Sequence, residues 1–97
     1  MYARLTKFQL DINKLEEGKR IFEESVIAAV KLKKGYRSGY LLADRKTGKC
    51  ISIAFWDSEE KALADEQIGD YQERQNTGKH LFAAPPIREY YEVVVQD

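Results

Sequence analysis

The tightest constraint comes from two neighbouring stretches, residues 36–44 (YRSGYLLAD) and 49–56 (KCISIAFW). Both are rich in the β-branched, aromatic and aliphatic residues that suit strands. Only Arg-Lys-Thr-Gly separates them, with Asp44 before it and Gly48 available for a left-handed position, which is a hairpin turn. Neither strand alternates cleanly. Leu41-Leu42, the run from Ile51 to Trp56, and Val93-Val94-Val95 farther on are apolar on both faces. An antiparallel sheet with one wet side should alternate apolar with polar. A chain built on these strands must therefore cover both sides of its sheet.

Pairing Asp44 with Lys49 sets the faces. Ser38, Tyr40 and Leu42 share one with Ile51, Ile53 and Phe55; Arg37, Gly39, Leu41 and Ala43 share the other with Cys50, Ser52, Ala54 and Trp56. A slip of one residue would exchange the faces of one strand. Ahead of the hairpin, Tyr2, Thr6, Phe8 and Leu10 follow a period of two and predict a first strand. Asn13, with Glu16 three residues on, reads as the N-cap of a helix. Leu15, Phe22, Val26, Ala29 and Val30 carry its apolar stripe toward Leu32, lysines 31, 33 and 34 suit its C-terminal end, and Gly35 stops it. After the hairpin, Asp57-Ser58-Glu59-Glu60 starts a second helix that ends at Asn76-Thr77-Gly78. Leu63 or Ala64, Gln67, Ile68, Tyr71 and Gln75 are predicted to line its inner side. Residues 79–86 form a connector stiffened by Pro85-Pro86, and residues 87–96 form the last strand.

The order strand, helix, strand, strand, helix, strand predicts one α+β, ferredoxin-like βαββαβ domain over residues 1–97, with four antiparallel strands and two helices on one face. Two helices cover only one side. The economical cover for the open sheet face is a second copy, in a homodimer that closes an α+β barrel. The length of 97 residues suits one domain. Sixteen basic residues balance sixteen acidic ones, which argues against a nucleic-acid binder relying on bulk charge. That neutrality is the sum of opposite halves: residues 1–57 carry a net of plus five, residues 58–97 minus five. One cysteine allows no internal disulfide and fits a reducing cytoplasm, one histidine cannot assemble the usual zinc site, and no glycine-rich phosphate loop is present. No stretch has the length of a membrane span or a signal sequence. The expectation is a cytoplasmic protein with no nucleic-acid or membrane partner and no metal or other cofactor.

Gly35-Tyr36-Arg37-Ser38-Gly39-Tyr40-Leu41-Leu42, the hairpin from Asp44 to Lys49, and Phe55-Trp56-Asp57-Ser58-Glu59-Glu60 resemble the dimeric α+β barrel superfamily, and within it the antibiotic-biosynthesis-monooxygenase-like proteins. The resemblance in element order covers nearly the whole chain. It implies a homodimer with a small apolar pocket between sheet and helices in each subunit. It also implies, as one activity of the group, oxidation of quinols or anthrone-like aromatics by oxygen without metal or flavin. The sequence departs from active members. Where quinol-oxidising relatives often carry His on the second helix, nine residues after the strand-ending Trp, this chain has Asp65. The Asn, Trp and His of haem-degrading relatives have no counterpart: Asn13 reads as a cap, and the second helix has neither Trp nor His.

Candidate site residues follow from chemistry. His80, in the connector beside Leu81 and Phe82, has the one side chain whose ordinary pKa suits proton transfer near neutrality. Asp65 would serve as a base if buried. These two are the catalytic candidates. Arg37, Tyr40, Ser52, Trp56 and Tyr71 are candidates for binding a small apolar or aromatic ligand, with Trp56 as a stacking platform opposite Arg37. Each has a plainer role available: Trp56 as a helix-junction core residue, His80 on the surface, Asp65 on a solvated helix, the tyrosines in packing. The function expected is a cofactor-independent monooxygenase acting on a small aromatic or quinol-like substrate. The alternative is a non-catalytic homodimeric binding or scaffold protein. RNA recognition shares the topology, but Lys-Cys-Ile-Ser-Ile-Ala-Phe-Trp on the third strand lacks the basic-Gly-aromatic pattern.

Overall fold

The computed structural model describes all residues, 1–97. Strands β1 (Tyr2–Gln9), β2 (Tyr36–Ala43), β3 (Lys49–Trp56) and β4 (Ile87–Glu92) form one antiparallel sheet in the order β2-β3-β1-β4. Between β1 and β2 run helix α1 (Leu15–Ile21), a π-helical segment (Phe22–Ile27) and a last α-helical turn, α2 (Ala28–Val30). Between β3 and β4 run α3 (Glu59–Glu66), α4 (Gly69–Thr77) and a 3₁₀ turn (Lys79–Leu81). This is the α+β, ferredoxin-like arrangement that the element order predicts. No helix is long and apolar enough to cross a membrane.

The hairpin register is the predicted one, with Ala43 opposite Cys50 and Leu41 opposite Ser52. Asp44 closes the turn: its carboxylate accepts from the Lys46 amide at 2.8 Å and its carbonyl accepts from Gly48 N–H at 2.8 Å. Gly48 has φ +82°, and a Cβ there would collide with the Leu10 carbonyl, so glycine is required twice over. Cross-strand pairing of Phe8 with Cys50, Thr6 with Ser52, and Arg4 with Ala54 carries the same face onto β1, and Thr6 with Arg88 carries it onto β4. All helices pack on this face. The opposite face presents Leu5, Tyr40, Leu42, Ile51, Ile53, Phe55, Ile87 and Tyr91, with no element over them.

Four boundaries differ from the sequence expectation. The first helical turn is capped by Asp11, whose carboxylate accepts from the Asn13 amide at 2.8 Å, so Asn13 lies inside the turn it was expected to cap. The helix ends at Val30, because residues 31–35 must turn back to deliver Tyr36 to β2; Leu32 is left exposed. The last strand stops at Glu92. Its partner β1 ends at Tyr2, so beyond the bond from Val93 N–H to the Met1 carbonyl there is no ladder to join, and Val94 and Val95 are exposed. Finally, the second helix is broken. Gln67 and Ile68 donate to carbonyls three residues back, Ile68 adopts an extended conformation, and Gly69, a weak helix former, opens α4. The buried residues of the pair are Ala62, Asp65, Tyr71 and Arg74. Of the set expected inside, Tyr71 is buried and Gln75 half-buried, while Leu63, Ala64, Gln67 and Ile68 are exposed because the break resets the helix face.

The space between sheet and helices holds two small cores. Leu10, Leu15, Cys50 and Leu81 form one, with Phe8, Ile21, Leu41 and Phe82 against them. Val30, Trp56 and Ala62 form the other, with Tyr2, Ile27, Tyr36 and Ala54 around them.

Candidate functional site

The first core does not close. A cavity of about 80 Å³ lies between the sheet, the π-helical segment, α4 and the connector. Its apolar walls include Phe8, Phe22, Val26, Leu41, Leu81 and Phe82. Four polar side chains also line it: Thr6, Ser52, Arg74 and Gln75. The sheet supplies two of them by register. Ser52, Thr6 and Arg88 are successive partners across β3, β1 and β4, so they form a polar row on the helix-covered face. Helix α4 lies over the row, and Arg88 Nη2 donates to Gln75 Oε1 at 3.1 Å. A wider chamber of about 480 Å³ shares Leu10, Phe22 and Leu41 with the first and is also lined by Lys19, Glu23 and Arg45. Phe22, the first residue of the π-helical segment, is thus part of the partition between the chambers. Gly39 keeps β2 close under this helix: a Cβ there would strike the Tyr36 hydroxyl and press on Ile27.

Beside the cavity, toward the second core, lies a buried ion network. Asp65, only 2 % exposed, accepts from Arg4 Nη2 at 3.0 Å through one oxygen and from Arg74 Nη2 at 2.6 Å through the other. Arg4 also reaches Glu66 Oε2 at 3.2 Å, and Tyr90 O–H donates to Glu66 Oε1 at 2.7 Å. The guanidiniums of Arg4, Arg74 and Arg88 lie 4.9, 5.4 and 5.3 Å from the centre of the Tyr71 ring. Stacking of this kind suits the flat, weakly hydrated guanidinium. Burial pushes the Tyr71 hydroxyl's pKa up, against the opposing pull of Arg4 and Arg88. Burial and the Glu66 hydrogen bond push Tyr90 up to about 12.

The sequence candidates fall on different parts of this map. Ser52 lines the cavity. Tyr71 lies beside it, behind Arg74. Trp56 is fully buried in the second core, with Arg4 over its ring at 5.3 Å and Tyr36 edge-on, and is absent from the cavity wall. Arg37 is not opposite Trp56. A bulge between Tyr36 and Ser38 gives that place to Tyr36, and Arg37 turns outward to the Asp57 carboxylate. The cation over Trp56 is Arg4. Tyr40 packs edge-to-face on Phe55 of the uncovered face and touches only the outer chamber. His80 points outward, its Nε2 3.8 Å from Glu17, although its neighbours Leu81 and Phe82 do wall the cavity. Asp65 is buried as its base role required, but both its oxygens are held by guanidiniums.

Arg4, Arg74, Arg88, Thr6 and Gln75 are residues that the sequence reading did not single out. Arg4 carried a signal: it falls in the same alternate set as Tyr2, Thr6, Phe8 and Leu10, and a cation on a helix-covered face needs a buried partner. Arg74 carried none, because the helix break that turns it inward is not marked by a proline.

Neither a scan against protein-family models nor a search of curated proteins finds a match. Solved structures do match. SnoaB from Streptomyces nogalater, a cofactor-independent oxygenase seen as a point mutant, superposes with a TM-score of 0.82 at 12 % identity, covering 98 % of this chain and 94 % of its own. A provisionally named antibiotic biosynthesis monooxygenase from Deinococcus radiodurans gives 0.81 at 12 % identity, covering 100 % and 96 %. Another so named, from Nitrosomonas europaea, gives 0.79 at 14 %, covering 98 % and 100 %. The chain therefore has the protomer fold of the antibiotic-biosynthesis-monooxygenase-like proteins, as its hairpin and Trp-Asp-Ser-Glu-Glu junction suggested.

Proposed function

We propose that the protein is a cofactor-independent oxygenase of the antibiotic-biosynthesis-monooxygenase-like type, acting on a small aromatic or quinol-like substrate in the cavity beneath α4. The observation that carries this reading is the cavity's make-up: a narrow, mostly aromatic and aliphatic chamber with a hydroxyl pair and a buried guanidinium on its wall. Fold likeness to a cofactor-independent oxygenase supports it by analogy.

The chemistry asks little of the chain. An activated aromatic CH₂ or phenol loses a proton, and the anion passes electrons to dioxygen. The oxygen adduct then collapses, so that a CH₂ and one O₂ become a carbonyl and one water. Arg74, Thr6 and Ser52 stabilise the oxyanion as charge develops. Phe8, Phe22, Leu41 and Phe82 keep water from the reactive anion. His80 and Asp65 have no base role in this reading, since His80 faces Glu17 and Asp65 is taken by two guanidiniums; the proton leaves to water at the mouth.

The active form is a homodimer. Leu5, Ile51, Ile53, Phe55, Ile87 and Tyr91 make the uncovered face too apolar to stand in water. A second sheet packed on it buries this set in a core-like interface.

Oxygen uptake with quinols and anthrones tests the activity. Uptake that stops in a Ser52→Val or Phe82→Ala variant supports the reading; no uptake with any such substrate sinks it. One observation favours a non-catalytic binding protein instead. The cavity wall contains neither a carboxylate nor an imidazole. Tight binding of the same compounds without turnover decides for that alternative.

A further inference from the structure

The polar end of the cavity presents hydrogen-bond donors that the chain leaves unpartnered, one of them on a cation. Arg74 is 6 % exposed and lines the cavity. Its hydrogen bonds, to Asp65 and the Asp70 carbonyl, run through Nη2 and Nε, which leaves Nη1 without a partner in the chain. The Asp70 carboxylate is shared, with Lys33 at 2.9 Å on one oxygen and Arg74 Nη2 at 3.8 Å on the other. Arg88 has no carboxylate partner at all. Its hydrogen bond goes to the neutral Gln75, itself a cavity residue. Around Tyr71, Arg4, Arg74 and Arg88 meet three carboxylates, Asp65, Glu66 and Asp70, the last shared with Lys33.

The Nη1 edge of Arg74 is a charged donor left open toward the cavity, and an acceptor on a ligand would complete it. The Thr6 and Ser52 hydroxyls line the same cavity, adjacent in the sheet row that ends at Arg88. From this we infer that the cavity recognises a carboxylate: the natural ligand is an aromatic acid, its ring against Phe8, Phe22, Leu41 and Phe82 and its carboxylate at Arg74 Nη1, Ser52 and Thr6. This rests on the cavity being the ligand site of the proposed function, and it names the substrate class. Hydrogen bonds from a charged donor in a water-poor site favour a charged acceptor over a neutral one of the same shape. Arg88, which Gln75 holds outside the cavity lining, adds long-range attraction rather than contact. The narrow chamber is smaller than the roughly 150 Å³ that holds a benzene ring, so the ring reaches past Phe22 into the wider chamber.

Benzoate and benzamide have the same shape and differ in charge. Isothermal titration calorimetry on the intact protein should show benzoate binding about tenfold or more tightly than benzamide. Arg74→Gln is the obvious variant, but it strips Asp65 of a partner and endangers the fold. Gln75→Glu avoids this. It sets a carboxylate at the polar end, pairs with Arg88, and leaves the Asp65 network untouched. It should abolish the benzoate preference, bringing the affinity for benzoate down to that for benzamide or below it. Equal affinities, a preference that survives Gln75→Glu, or no binding of either probe would overturn the inference. Benzoate preference without oxygen uptake by any aromatic acid would leave the carboxylate site standing and remove the oxygenase reading alone.

Discussion

The two ends of the layer between sheet and helices solve opposite problems. At the β1 start, around Trp56, the space is filled completely, and five charged or polar side chains are drawn in to fill it: Arg4, Asp65, Glu66, Tyr71 and Arg74. At the hairpin end, around Leu10 and Leu81, the packed side chains are apolar, and they leave a void with polar groups on one wall. The charged end is held by geometry that fails if any partner is removed. The apolar end tolerates change in volume. A protein that binds a ligand profits from this division, since the rigid end holds Arg74 at the edge of the adaptable one. Arg74 is the one side chain that belongs to both.

Removing the centre of the charged end should give the largest loss. Asp65→Ala leaves two buried guanidiniums without their shared acceptor and is expected to cost about 3–5 kcal/mol in chemical denaturation. The apolar end should be gentler. Leu81→Ala enlarges a void that already exists, and an expected cost of about 2–3 kcal/mol, at the low side for a buried leucine, would match that tolerance. If Leu81→Ala instead matches Asp65→Ala, the two ends do not differ as described. Gly48→Ala, at the turn that closes the hairpin end, should cost more than about 1 kcal/mol by thermal melting, because φ is positive and the Leu10 carbonyl blocks a Cβ. Ser58→Ala, at the helix start nearest Trp56, removes the cap on the Lys61 amide and should cost about 1 kcal/mol.

The smallest effect is a titration at the charged end. Tyr90, raised to about 12 by burial and Glu66, holds its proton more tightly folded than unfolded. Its contribution to stability is therefore complete below the ordinary tyrosine pKa of about 10 and is lost as pH climbs from there through about 12. Tyrosinate absorbance should show a late-titrating component that Tyr90→Phe diminishes, leaving the contribution of Tyr71, which burial also raises. Loss of a different tyrosine's transition would place the perturbed hydroxyl elsewhere.

Much of the frame could be read from the chain, because period-two strands, a turn with Gly48 and the Ser58 cap are local signals. The hairpin register, and with it the inward position of Ser52, followed from the length of the Asp44–Lys49 turn alone. What could not be read were the places where tertiary partners decide. The bulge at Arg37 moved a cation out of the site by one residue, and no local residue marks it. The break at Gln67–Ile68 rotated Arg74 inward, which a continuous helix would not have done. Val93–Val95 looked like strand and is not, since the ladder between β1 and β4 stops at Tyr2 and Glu92. Asp65 was named for the right burial and the wrong chemistry: its partners, 61 residues back and nine residues on, are invisible to spacing.

The central claim is that the ligand enters the apolar end, beneath α4, and not the uncovered sheet face. Amide proton–nitrogen correlation spectra of the intact protein, recorded with increasing benzoate, test it most directly. The account predicts shifts at Thr6, Ser52, Gln75 and Leu81, with Ile53 and Tyr91 on the opposite face undisturbed. Shifts centred on Ile53, Phe55 and Tyr91, or none at the cavity residues, would contradict it.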